Sequence, residues 1–218
     1  MEESNWVAVV PVKAPKRGKS RLGPELEDWR VELAAAFATD TLAALLDATQ
    51  VTFVVVVGGQ GLPASLLDHA RVHTLADPGS LNAAADDGIA WSRRHHPGSG
   101  ILVLAADLPA ATGAAVDRLL EAMPVRGLWV LPDLESVGST GLLIGSGSVI
   151  APDFGEESLS RHRAAGASPI ELRAIDGLRR DVDTADQLSE AIGLGVGQRT
   201  QAVLDAMGQL ADVDRPLR

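Results

Sequence analysis

Cysteine is absent from this 218-residue chain, which excludes disulfides, thiolate zinc sites and a cysteine nucleophile. The absence fits a reducing cytoplasm. No apolar run approaches the roughly 20 residues that a membrane-spanning helix needs. The opening stretch, MEESNWVAVVPVK, is acidic and its apolar run is too short for a signal peptide. The Walker pattern G-x-x-x-x-G-K-[ST] is missing, and Ser158 lies outside any G-x-S-x-G elbow. The stretch VVVVGGQGLP comes near a dinucleotide fingerprint but lacks its third glycine and runs into Pro63. His95 and His96, in SRRHHPGSG, read as solvated loop residues, and no further His or Cys stands at zinc-ligand spacing.

Lysine is nearly missing as well: the chain holds Lys13, Lys16 and Lys19 and no others. With Arg17 and Arg21 they put five of nineteen basic residues into nine positions of VPVKAPKRGKSRLGP, in a protein whose formal net charge is -10. So acidic a chain offers no broad basic face to a nucleic acid. A loop of this size can serve one triphosphate, guanidinium groups pairing in bidentate fashion and ammonium groups as point charges. The alternative is a solvated loop in a composition that favours arginine.

Hydrophobic residues make up 46% of the chain and the mean hydropathy is +0.12, enough for one α/β domain, read as residues 1–211 with a frayed tail over 212–218. Short apolar runs alternate with amphipathic ones, the pattern of a mainly parallel sheet flanked by crossover helices. Strands are expected over 6–12, 51–57, 71–76, 101–104, 127–131 and 141–144. Helices are expected over 25–46, 62–69, 81–94, 112–123, 158–165 and 185–192. STGLLIGSGSVIAP reads as a strand, a Gly/Ser turn and a second short strand that breaks the parallel pattern. A helical segment over 198–210 could serve a homodimer.

Three acidic residues stand at strand ends. Asp107 follows the apolar run in ILVLAADLPA, where a carboxylate is costly unless paired or metal-bound. Asp181 and Asp183 are two residues apart in DVDT and share a face if extended. Converging, the three could hold one or two Mg²⁺ ions through hard oxygen ligands. Capping is the competing reading: Asp107 as a loop cap before a helix begun by Thr112, and Asp183 with Thr184 at the capping box TADQ.

Six segments in order, VKAPKRGKSRL, LADPGSLNAAADDG, LAADLPA, GSTGLLI, FGEESLSRHRAAGA and RRDVDT, resemble the phosphoenolpyruvate/2-phospho-L-lactate guanylyltransferase family of deazaflavin coenzyme (factor 420) biosynthesis. The resemblance covers roughly residues 9–188. It implies a single-domain nucleotidyltransferase, glycosyltransferase-A-like fold with a mixed, mainly parallel sheet. It also implies GTP as cosubstrate, Mg²⁺ as cofactor, a small phosphorylated three-carbon acid as acceptor, and a downstream coenzyme-assembling transferase as partner. Carried over by residue, Asp107, Asp181 and Asp183 match metal-holding aspartates. Thr140, Gly155 and Ser158 match contacts to the acid. Lys19 and Arg21, with Lys13 beside them, match cations at the GTP phosphates, Lys19 being catalytic. Leu81 and Asn82 match a segment lining the nucleoside pocket. Gly141 in STGLL and Glu135 in PDLESVG depart from the family pattern.

The implied reaction is attack by the acid's phosphate on the α-phosphorus of GTP, displacing pyrophosphate. That nucleophile is already anionic, so positioning and charge neutralisation suffice and no general base is required. Phosphoenolpyruvate, 2-phospho-L-lactate and 3-phosphoglycerate all remain acceptors at this point, the resemblance being closest to the branch that uses phosphoenolpyruvate. A nucleotidyltransferase acting on a sugar phosphate or a molybdopterin would begin with A-G-G-x-G-x-R, where this chain has KAPKRGKSRL. The remaining alternative is a non-catalytic nucleotide-binding regulator.

Overall fold

The structure, a computed structural model, describes residues 5–13, 22–124 and 126–213. Its centre is β1 (Trp6–Val12), seven residues all buried. Side chains alternate faces along a strand. Trp6, Ala8, Val10 and Val12 enter one core layer and Val7 and Val9 the other. A strand covered on both faces has no polar alternation to show, which is why it reads as a continuous apolar run.

Around β1 the sheet adds β2 (Val51–Gly58), β3 (Val72–Leu75), β4 (Gly100–Leu104), β5 (Leu128–Pro132), β6 (Ser139–Ile144) and β7 (Ser168–Pro169), in the order β3-β2-β1-β4-β6-β5-β7. β1 pairs in parallel with both β2 and β4, and β2 with β3. β6 runs antiparallel to β4 and β5, and β7 is parallel to β5. The chain therefore builds outward from β1 in one direction and then returns to build on its other side at β4. Ligands of open α/β sheets bind at that reversal, beyond the carboxyl ends of the strands.

The helices are α1 (Arg30–Asp47), α2 (Ala64–Leu67), α3 (Leu81–His95), α4 (Gly113–Ala122), α5 (Ser158–Ala164), α6 (Ala185–Leu194) and α7 (Gln198–Val213). α1 and α4 cover one face, contributing Ala38, Leu42, Leu45, Val116, Leu119 and Leu120. α3 covers the other with Ala84, Ala85 and Ile89. A third cluster joins Leu33 and Phe37 of α1 to Leu188 and Ala191 of α6, with Val203, Leu204 and Met207 of α7 packed against it.

Several elements depart from the sequence reading. The helix expected over 25–46 begins as a 3-10 segment, Pro24–Trp29, before α1 proper. The helix expected over 62–69 is a single turn, since the Asp68 and His69 amides close turns onto Ala64 and Leu66 and the chain then enters β3. The second strand after the Gly/Ser turn does not form: Ser148 accepts from the Arg93 guanidinium at 2.8 Å and Ile150 packs into the core without strand pairing. His95 ends α3 instead of lying in a loop, its ring stacked on Trp91 at 4.2 Å. The capping reading holds for Thr112 and Thr184, which cap α4 and α6. Residues 214–218 of the expected tail lie outside the described residues, and 212–213 belong to α7.

α7 is tied down from a distance. The buried Asp40 carboxylate of α1 accepts the Arg199 and Thr200 amides at 3.0 and 2.8 Å, satisfying N–H groups that a helix start leaves without partners. A Cβ on Gly197 would lie 2.3 Å from the Asp40 carboxyl carbon, so only glycine admits this approach. Asp40→Ala is expected to lower the unfolding free energy by about 1–3 kcal/mol. Urea unfolding measures it, and an unchanged midpoint would mean that the contact contributes nothing.

Candidate active site

An open cavity of about 770 Å³ lies where the strand order reverses, with Pro11 and Lys13 at the end of β1 and Leu104, Ala105 and Asp107 at the end of β4. Because β6 is antiparallel, its first residue, Ser139, also reaches this wall. Asp107, Asp181 and Asp183 all line the cavity. What brings them together is backbone pairing: the Val182 N–H donates to the Asp107 carbonyl at 3.1 Å. The Val182 side chain is fully buried in the third core cluster, leaving the aspartates on either side of it to face the cavity. Two further features hold the segment. A Cβ on Gly177 would sit 2.1 Å from the Ala110 carbonyl oxygen, a closeness only glycine allows. After Asp183, Thr184 and Gln187 form a reciprocal capping box, and the Gln187 carbonyl oxygen also accepts the Asp183 amide at 2.9 Å.

The cavity wall carries seven carboxylates, Asp107, Asp133, Glu135, Glu156, Glu157, Asp181 and Asp183, against Lys13 alone among the described cations. A wall of this sign repels a polyphosphate unless cations are added. Asp107, Asp181 and Asp183 supply the hard oxygen donors that Mg²⁺ takes. Among the described residues, however, no group of three or more acidic or histidine side chains is drawn close enough to hold a metal unaided. Mg²⁺ commonly keeps several waters and is held by one or two carboxylates together with substrate phosphates.

Asp133 and Glu135 are tied into the loop that carries them. Asp133 accepts the Val137 and Gly138 amides at 2.9 and 2.7 Å, closing the loop between β5 and β6. Burial alone would raise the Glu135 carboxyl, but the Arg180 guanidinium, 2.7 Å away, holds it below its ordinary value. Arg180 is itself buried and also pairs with Glu190 at 3.2 Å. Arg179 donates to the Pro132 and Asp133 carbonyls at 3.0 and 2.9 Å. Both arginines of RRDVDT thus clamp the β5–β6 loop to the aspartate segment. Glu135, unusual in the sequence pattern, is explained by Arg180.

The opposite wall is polar and ordered. The Ser158 and Ser139 hydroxyls lie 2.7 Å apart. Ser139 is 3.0 Å from Nδ1 of His162, whose Nε2 accepts the Asp153 amide at 3.0 Å. His162 has no exposed surface. Desolvation pushes its imidazole below the ordinary value, with the Asp153 carboxylate opposing and the Arg161 guanidinium reinforcing. Asn82 brackets Phe154, donating to its carbonyl at 3.2 Å and accepting its amide at 2.8 Å. Gly155 follows with φ 130, a conformation that side chains rarely adopt, and its carbonyl accepts the Ser158 amide at 3.1 Å.

Of the residues singled out in the sequence, Lys13, Leu81, Asp107, Gly155, Ser158, Asp181 and Asp183 line the cavity. Lys13 and Leu81 also line an adjoining hollow of about 160 Å³ with Asp77, Gly79 and Ser80. Asn82 is not on either wall; its amide supports Phe154 behind one of them. Thr140 is buried behind the cavity, its hydroxyl donating to the Leu178 carbonyl at 2.7 Å, and its neighbour Ser139 takes the wall position. Lys19 and Arg21 lie outside the described residues. Gly141 bears on packing: a Cβ there would meet Leu131 at 3.3 Å and Leu104 at 3.4 Å, inside the sheet's core layer. Ser139, His162, Arg179 and Arg180 fall within segments that carry the family resemblance, but their roles are not visible in the sequence. They partner residues 19 to 47 positions away, which no local spacing reveals.

The chain is similar to known proteins over most of its length. A family model described as "Guanylyl transferase CofC like" matches residues 6–215. A phosphoenolpyruvate guanylyltransferase from Streptomyces coelicolor is 43% identical over 201 residues, covering 91% of this chain and 95% of that one. Among solved structures, a nucleotidyl transferase from Methanothermobacter superposes with TM-score 0.57 at 16% identity, covering 87% of this chain and 97% of the other. The 2-C-methyl-D-erythritol 4-phosphate cytidylyltransferase of Francisella tularensis does so with TM-score 0.55 at 12% identity, covering 88% of this chain and 100% of the other. The nucleotidyltransferase fold expected from the sequence is thereby established.

The depressed His162 imidazole has a consequence for stability. In the unfolded chain it takes up a proton near pH 6.5, whereas the folded protein resists protonation to lower pH. The unfolded state therefore binds more protons in that window, and the contribution to stability is present above about 6.5 and declines as pH falls below it. The difference in unfolding free energy between wild type and His162→Asn is expected to shrink between pH 7.5 and 5. A difference independent of pH would contradict this.

Proposed function

The chain belongs to the CofC-like guanylyl transferase family, and on that premise we propose that it transfers GMP from GTP to the phosphate of phosphoenolpyruvate, releasing pyrophosphate. The observation that carries this reading is the convergence of Asp107, Asp181 and Asp183 on one cavity at the strand-order reversal. The choice of acceptor rests on relatives that share 36–43% identity with this chain and bear the name phosphoenolpyruvate guanylyltransferase. The biosynthesis of the deazaflavin coenzyme is the setting we assign to the product, whose phosphoanhydride a downstream transferase would consume.

An oxygen of the acid's phosphate attacks the α-phosphorus of GTP. The bond from that phosphorus to the bridging oxygen breaks, and pyrophosphate leaves with the electron pair. Asp107, Asp181 and Asp183 would hold Mg²⁺ together with the substrate phosphates, and the ion would supply charge neutralisation there. Lys13 sits at the junction of the two cavities and pairs with the triphosphate there. Lys19 and Arg21 neutralise the departing pyrophosphate. The hollow beside Leu81 and Ser80 takes the nucleoside. Ser158 and the backbone at Gly155 receive the acid. No general base enters, because the nucleophile is anionic near neutral pH, and catalysis rests on orientation and preorganised charge.

Pyrophosphate release from GTP and Mg²⁺, measured in parallel with phosphoenolpyruvate, 2-phospho-L-lactate and 3-phosphoglycerate, is expected with the first. Release with another acid alone would reassign the acceptor, and none with any folded preparation would reject the activity. Asp107→Asn is expected to fold normally and lose at least about 100-fold in turnover, the scale of removing one preorganised charge contact. Lys19→Ala should raise the KM for GTP about ten-fold, as loss of a charge-assisted hydrogen bond does; an unchanged GTP dependence would discard the clamp.

A further inference from the structure

The polar wall opposite the aspartates contains a chain of hydrogen bonds whose direction can be read from one end. At that end the Asp153 backbone N–H, which can only donate, points at Nε2 of His162 from 3.0 Å. Nε2 therefore holds a lone pair, and a neutral imidazole then carries its proton on Nδ1. Nδ1 lies 3.0 Å from the Ser139 oxygen, so Ser139 accepts there. Either hydroxyl could donate across the 2.7 Å between Ser139 and Ser158; with Ser139 already accepting from Nδ1, we assign its own proton to the Ser158 oxygen. Ser158 has then accepted its hydrogen bond from the protein, and its remaining proton is the one available to the cavity that the residue lines.

We propose that His162, acting through Ser139, fixes the polarity of the Ser158 hydroxyl so that it donates to the anionic acid. This rests on the function proposed above. His162 and Ser139 are positioning residues in this scheme, and Ser158 is the group that touches substrate. Without the relay the Ser158 hydroxyl is free to rotate and can present a lone pair to an anion instead, which is repulsive. Burial favours the neutral ring that the scheme requires: His162 has no exposed surface, and protonation would set a second N–H against the Asp153 amide. The charged groups acting on the ring are Asp153 and Arg161, which pair with each other at 2.9 Å. The Phe154 ring meets it edge-on at 5.0 Å.

The test is steady-state pyrophosphate release by wild type, Ser158→Ala, Ser139→Ala, His162→Leu, His162→Asn and the double variant Ser139→Ala/Ser158→Ala. Ser139→Ala and His162→Leu are each expected to raise the KM for the acid about ten-fold, the loss of one hydrogen bond to a charged group, with the KM for GTP unchanged. The double variant should be no worse than Ser158→Ala, because the relay acts only through that hydroxyl. His162→Asn, whose amide can donate where Nδ1 does, should recover most of the acid affinity. An unchanged acid KM, a parallel rise in the KM for GTP, additive losses in the double variant, or a defect in Ser139→Ala with none in Ser158→Ala would each overturn the relay. The ¹⁵N shifts of His162 in the intact protein decide independently of turnover. A protonated Nδ1 with bare Nε2 is expected, and the opposite tautomer would overturn the proposal. Inactive wild type would sink the proposed function, whereas the tautomer of His162 would still be read from its ¹⁵N shifts.

Discussion

The Val182 N–H donates to the Asp107 carbonyl at 3.1 Å, and through that bond two segments 75 residues apart become one wall. Val182 turns its side chain into the core and thereby turns Asp181 and Asp183 out of it. Hydrophobic burial thus orients carboxylates that could not be buried unpaired themselves. The same segment is held from its other end by Arg179 and Arg180, which pin the β5–β6 loop and Glu135 against it. Loosening any of these contacts would move Asp181 and Asp183 together, since they share one stretch of backbone.

Charge is the second constraint. The described part of the cavity presents carboxylates where the proposed function would bring polyanions. A wall of this sign becomes complementary to an anion only when cations are brought in, and the chain's three lysines all fall near its start. Among the described residues, no group of three or more acidic or histidine side chains stands close enough to hold a metal unaided. In the function proposed above, metal and nucleotide would complete each other's coordination. The apposed wall works by the opposite principle: neutral hydroxyls and a neutral imidazole, ordered by hydrogen bonds instead of charge.

How far the sequence shows all this depends on the range of the interaction. β1 is legible because seven buried residues in a row leave no ambiguity. Asp107 is legible because an acid just after an apolar strand demands a reason; Asp181 and Asp183 are legible from their two-residue spacing, although they follow a 3-10 turn (Asp176–Leu178) and not the strand end expected of them. The capping box is legible from TADQ, and it coexists with a cavity-facing Asp183. The two-residue β7 has no apolar run to mark it. Thr140 and Asn82 match substrate contacts by resemblance, yet their polar groups are engaged with Leu178 and Phe154. The Ser139–His162 contact spans 23 residues and is hidden for the same reason: only the folded sheet brings β6 beside α5.

The central claim, that the three aspartates and GTP together form the metal site, is most directly tested with Mn²⁺ as a spectroscopic probe. Paramagnetic resonance of the wild-type protein should show weak Mn²⁺ binding alone and markedly tighter binding when GTP is added, with the gain lost in Asp183→Asn. Tight binding in the absence of nucleotide, or a GTP-dependent gain that survives Asp183→Asn, would contradict it.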